Sequence, residues 1–252
     1  MKINHYRITK YNPIFRDKFG AYTKPEWTGI HYIGKTCDGQ VLTRKDYLKV
    51  ESAYIEIVMK FLKEAKIDKV RTILPDNEKR VVIETDTREL FEDDFKGFVL
   101  EDDALVNNED VPLICKLNLR ELAYCQLISG DNFFVHFGYD YYMYIGVDQK
   151  YPEAIEFAKQ QGLFVEEIES PYFISEENTT RTISWSKKGH SIVEEELVLP
   201  KLSREDLQKT FGLSSEHPVL GAFKITPSNN KMFTDFINFD FDQFDYWLFC
   251  GD

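Results

Sequence analysis

The sequence predicts an α+β protein made of a larger N-terminal α+β module, residues 1–170, followed by a small C-terminal α+β module, residues 180–252. Three observations carry that prediction. One segment repeats its apolar residues at helical spacing, while an aromatic stretch further on has the pattern of a β-hairpin. A polar run, SPYFISEENTT at residues 170–180, interrupts the chain where a boundary is expected. Charge is also uneven: residues 1–50 carry ten Lys/Arg against four acids, and residues 84–110 carry eleven acids against Arg88 and Lys96. Such asymmetry fits two modules, or a surface kept for a partner.

Residues 5–11 read as a strand, and Asn12-Pro13, Gly20, Pro25 and Gly29 punctuate the turn-rich stretch after it. Thr43 is the expected N-cap of the clearest helix, with Asp46 in the capping-box position and Lys63 and Lys66 near its end. Tyr47, Val50, Tyr54, Ile57, Val58, Phe61 and Leu62 form its apolar stripe, which is expected to be core. Residues 69–74 read as a strand stopped by Pro75-Asp76-Asn77, and residues 80–84 as another. Leu90, Phe91, Phe95, Phe98 and Leu100 keep the acidic stretch from being pure coil. A helix is expected over 109–128, started or interrupted near Pro112.

In NFFVHFGYDYYMYIGV, residues 132–137 and 141–147 flank Gly138-Tyr139-Asp140, which is hairpin chemistry. Residues 152–161 predict a short helix ended by Gly162, and residues 163–168 a strand. In the second module, strands over 182–186 and 192–199 flank Lys188-Gly189, and Ser203 caps a helix running to about Phe211. A strand over 219–226, a helix over 229–236 and a strand over 245–250 complete it.

Of the 252 residues 43% are hydrophobic and 15% aromatic, enough to fill a core without disulfides or metal. The net charge of −12 argues against a nucleic-acid partner and against an anionic membrane surface. It suits a basic protein partner, although acidity also serves solubility. Cys37, Cys115, Cys125 and Cys250 form no C-x-x-C pair and read as thiols of a reducing compartment. The opening MKINHYRITKYNP has no apolar h-region, and no apolar run approaches 18 residues, so a cytoplasmic protein is expected.

No catalytic, cofactor or metal constellation is recognisable. His5, His31, His136, His190 and His217 are scattered, phosphate-binding glycine loops are missing, and Glu92-Asp93-Asp94 and Glu101-Asp102-Asp103 lack the spacing of a calcium loop. After Lys231 the chain has five acids, no bases and eight aromatics, the composition of a core with polar flanks or of a surface that grips a basic partner. The expected partner-binding residues are Asp93, Asp94, Asp102 and Asp103, then Asp240 and Asp242 with Tyr141.

YRITKYNPIFRDKFGAYTKPEWTGIHYIGK at residues 6–35 and HFGYDYYMYIG at residues 136–146 resemble bacterial immunity proteins of polymorphic-toxin and contact-dependent inhibition systems. Residues 197–252, with LSREDLQKTFGL, PVLGAFKI and the closing FDYWLFCGD, are similar to a second small module met in the same setting. The resemblance implies stoichiometric binding of a cognate, basic protein toxin, with no catalytic residues to carry over. Two other readings compete: an assembly module recognising another chain, and an enzyme using His136 with a carboxylate such as Asp140.

Overall fold

A computed structural model of the chain describes residues 3–79, 87–91, 95, 97–190, 193 and 195–252. The protein is a mixed α+β molecule, as its sequence predicts, and divides into two compact units, Met1–Tyr172 and Phe173–Asp252. The division falls inside the polar run at 170–180.

In the first unit, β1 (Asn4–Thr9) is followed by the two-residue strands β2 (Thr36–Cys37) and β3 (Gln40–Val41), which pair with each other. Helix α1 (Arg44–Ala65) follows. The Thr43 side chain accepts the Asp46 backbone N–H, satisfying one donor the first turn leaves open. At the other end Lys66 adopts φ +57 and its N–H turns back to the Leu62 and Lys63 carbonyls. Tyr47, Tyr54, Ile57, Val58, Phe61 and Leu62 are buried along the expected stripe.

Next come β4 (Lys69–Asp76), β5 (Leu105–Asn107), α2 (Val111–Leu119), β6 (Tyr124–Ser129), β7 (Phe133–Phe137), β8 (Met143–Val147), α3 (Pro152–Gln160) and β9 (Phe164–Glu166). Seven strands form one antiparallel sheet in the order β5-β4-β6-β7-β8-β1-β9. Strand alternation gives it two faces. Tyr6, Ile8, Cys125, Leu127, Phe133, Val135, Phe137, Met143, Ile145 and Val147 join residues of α1, α2 and α3 in one core.

Two expectations are corrected here, and a third falls outside the described residues. The helix expected over 109–128 ends at Leu119, and residues 124–129 are a central strand. The break is at Glu121, a non-glycine residue at φ +57, after which apolar spacing switches from helical to alternating. β4 runs through Pro75 rather than stopping before it, by way of a register shift between Ile73 and Asp76 with Leu74 at φ +53. The strand expected over 80–84 lies outside the described residues.

The second unit holds β10 (Thr180–Lys187), β11 (Glu195–Val198), α4 (Arg204–Phe211), β12 (Gly221–Ile225) and β13 (Phe244–Gly251). Its antiparallel sheet has the order β11-β10-β13-β12. Ile183, Leu207, Phe223, Ile225, Phe233, Tyr246 and Leu248 make a separate core. Ser203 caps α4 by accepting the Asp206 N–H, as its sequence suggests. The helix expected over 229–236 shrinks to a 3-10 turn at Asn230–Phe233. There Asn229 ties back to strand β12, taking the Thr226 N–H and donating to the Lys224 carbonyl, which diverts the backbone.

Candidate functional site

The residues expected to bind a partner are spread over both units. Asp93 and Asp94 lie outside the described residues. Asp102 is exposed, but its carboxylate accepts the Leu74 N–H at 3.0 Å and so caps the β4 irregularity. Asp103 stands 3.4 Å from the Arg71 guanidinium, half withdrawn from solvent. Asp240 organises the turn before β13, accepting the Asp242 and Gln243 N–H groups and the Gln243 amide. Asp242 is exposed in that turn.

Tyr141 is a correction: it is 5% exposed and packs its ring against Trp27, Tyr47 and Tyr54. Residues 139–141 form a turn rather than the start of a strand, with Asp140 at φ +56 and Tyr141 at φ +60. Two hydroxyls secure that backbone, Tyr11 donating to the Asp140 carbonyl at 2.6 Å and Tyr54 to that of Tyr141 at 2.7 Å. The left-handed pair swings the Tyr141 side chain into the core.

His136 and Asp140 are not assembled as a catalytic pair. His136 is 3% exposed, faces away from Phe137 and shares its Nδ1 with the Ser170 hydroxyl at 2.8 Å. Burial, helped by neighbouring His5, pushes its pKa down to about 3, so the ring is neutral near pH 7. Ser170 also donates its N–H to His5 Nδ1 at 3.2 Å, and burial lowers the His5 pKa while Glu169 opposes. The ring of Phe134 stacks on His136 at 4.1 Å and occupies the space a Cβ on Gly146 would need.

Register aligns His136, Tyr144, Arg7 and Glu166 across β7, β8, β1 and β9 on this second face of the sheet. Arg7 holds Glu166 in a fork, with Nε and Nη2 at 3.0–3.1 Å from its oxygens. The turn-rich stretch delivers Arg16, whose Nη1 donates to the Gly20 carbonyl at 3.1 Å and to the Tyr142 hydroxyl at 2.9 Å. Both guanidinium carbons lie over the Tyr142 ring, 5.6 and 5.3 Å from its centre. With Tyr139, Asp140, Tyr144 and Tyr172 these groups line an open cleft of about 310 Å³. The pairing spans residues 7 and 166, so no local motif announces it; the one hint was the basic surplus of residues 1–50.

In the second unit, the face of the sheet turned away from its core carries a cross-strand row of Val198, Thr182, Phe249 and Ala222. Beside it runs Glu196, Ser184, Trp247 and Lys224. Val198 is 66%, Phe249 44% and Trp247 37% exposed. Lys224 is held by Asp245 at 3.0 Å and lies over Trp247, while Glu196 takes the Ser184 hydroxyl.

A family described as Domain of unknown function (DUF7683) matches residues 180–249, the span of this second sheet. No curated protein and no solved structure matches the chain. Among the described residues no group of three or more His, Cys, Asp or Glu is placed to hold a metal, and no helix is long and apolar enough to cross a membrane.

Proposed function

We propose that the protein is an immunity-type binding protein that neutralises a cognate basic protein toxin in the cytoplasm by stoichiometric association. The observation that carries this reading is the outward row on the second unit's sheet. Trp247 and Phe249 are large aromatic anchors on neighbouring turns of the β13 pleat, with Val198 and the Thr182 methyl extending the apolar strip. Aromatic anchors with a polar rim are the usual source of interface affinity. Glu196 and Asp245 flank them, Asp242 is exposed in the turn leading into β13, and the whole chain carries −12. That surplus favours a cationic partner through steering and complementarity. The likeness of residues 6–35, 136–146 and 197–252 to immunity proteins supplies the kind of partner.

The test is co-expression with the toxin encoded beside the gene, followed by calorimetry on the purified pair. The expected result is protection and a one-to-one complex whose association slows as salt is raised. Trp247→Ala should weaken binding by about 2 kcal/mol or more, roughly 30-fold. Survival no better than with empty vector would remove the reading.

A further inference from the structure

The cleft on the first unit shares no residue with the interface just proposed. Arg7 and Arg16 stand there with two carboxylates, Glu166 and Asp140, so the formal charges balance, but the hydrogen bonds are unevenly shared. Glu166 is committed to Arg7 by a two-pronged hydrogen bond, whereas its approach to Arg16 is only 3.6 Å, too long for one. Arg16 is 8% exposed at its side chain, and its Nε and Nη2 have no hydrogen-bond partner among the described residues. A guanidinium buried to that extent, with two nitrogens lacking a hydrogen bond and Nη2 facing Glu166 at 3.6 Å, is a costly arrangement unless something else compensates it. What it does hold, through Nη1, are two neutral acceptors, the Gly20 carbonyl and the Tyr142 hydroxyl, both on the cleft wall.

We propose that this cleft receives a small molecule bearing an oxyanion, a carboxylate or a phosphate ester, on a planar ring. Arg16 grips the oxyanion. One ligand oxygen replaces the Gly20 carbonyl at Nη1 and a second reaches Nη2, exchanging a neutral acceptor for a charged, two-pronged one. Gly20 belongs to a turn at residues 17–21 pinned by the Asp17 side chain, which accepts the Phe19 and Ala21 N–H groups. Releasing its carbonyl therefore moves a turn tip and leaves the sheet in place. Tyr144 and Tyr172, edge to face at 5.9 Å, and the exposed Tyr139 give the ring aromatic surface to lie against. The volume of about 310 Å³ is at the lower end of what small-molecule sites offer.

The experiment titrates the full chain with phenyl phosphate, benzoate and inorganic phosphate, following the Arg16 Nε–H and Gly20 amide signals by ¹H–¹⁵N NMR. Saturable movement of both signals is expected with phenyl phosphate or benzoate, and weaker binding of inorganic phosphate. Saturation by only one of the two ring probes identifies the oxyanion as phosphate ester or carboxylate. Glu166→Gln removes the competing negative charge and should tighten binding about tenfold or more. Arg16→Gln should abolish it, with its melting curve checking that the fold survives. No saturation by either ring probe at millimolar concentration overturns the proposal, as does Arg16→Gln binding within twofold of the parent. Weaker binding by Glu166→Gln overturns it too, and inorganic phosphate binding as well as phenyl phosphate overturns the ring site. If Arg16→Gln does not fold, the parent titration and Glu166→Gln decide.

Discussion

Arg120 shows how much one side chain can hold. It is 1% exposed, and its Nε and Nη2 each meet a Glu51 oxygen at 2.7 Å while Nη1 reaches the Leu90 carbonyl. Phe95 lies against its guanidinium plane at 5.4 Å. A buried pair of this kind contributes modestly as a pair, but losing one partner strands the other charge away from water. Arg120→Met is therefore expected to cost about 3–5 kcal/mol. Replacing both, with Glu51→Leu added, should restore much of that. Urea midpoints of the two singles and the double measure the coupling, and a double variant no better than either single refutes it. Glu51 was not singled out from the sequence, although its position could have marked it. It stands four residues after Tyr47 and three before Tyr54, inside the apolar stripe of α1, and a charge there signals a buried partner. Nothing local pointed to Arg120, 69 residues away.

At the scale of elements, the segment that leaves β9 is fastened to the sheet by histidines. Ser170 bonds to His136 through its hydroxyl and to His5 through its N–H, so His5 must present a lone pair at Nδ1, whereas the His136–Ser170 bond can run in either direction. Both histidines are depressed from the ordinary value of 6.5, His136 to about 3. Between those values the unfolded chain binds more protons than the folded one, so stability is full above about pH 6.5 and falls as pH drops toward 3. The slope from His136 approaches about 1.4 kcal/mol per pH unit. His136→Asn should flatten the stability profile between pH 6.5 and 5; an unchanged slope would discard this account.

The elements also show what the sequence could and could not carry. α1 was legible because its cap and its stripe agree, and the hairpin β7–β8 because Gly138 and Asp140 mark the turn. α2 and β6 were merged because LICKLNLRELAYCQLIS satisfies helical spacing until Arg120, and the chain then reverses at Glu121 with no glycine or proline to mark it. Tyr141 was misplaced for a related reason. Alternation counted back from β8 assumes a strand, whereas two left-handed residues reset which way the side chain points.

For the whole molecule, each unit owns a core. The second is centred on Ile183, Leu207, Phe233, Tyr246 and Leu248. Residues 173–252 alone should accordingly fold, giving dispersed amide signals and one cooperative urea transition, with modest stability for their size. A collapsed amide spectrum for that fragment would sink the claim. Burial raises the Cys250 thiol to about 11, so slow reaction with a thiol reagent in the fragment offers a second reading of its packing.

The larger sheet has a consequence for how the chain is made. β1 lies between β8 and β9, and its partners sit at residues 143–147 and 164–166. During translation that first strand emerges with its edges open and waits for well over a hundred further residues before either neighbour leaves the ribosome. Closing such a span is entropically demanding, and sheets assembled from distant pairings form slowly. The nascent chain therefore spends its most aggregation-prone interval early, and its yield should depend on chaperone capacity more than its final stability suggests.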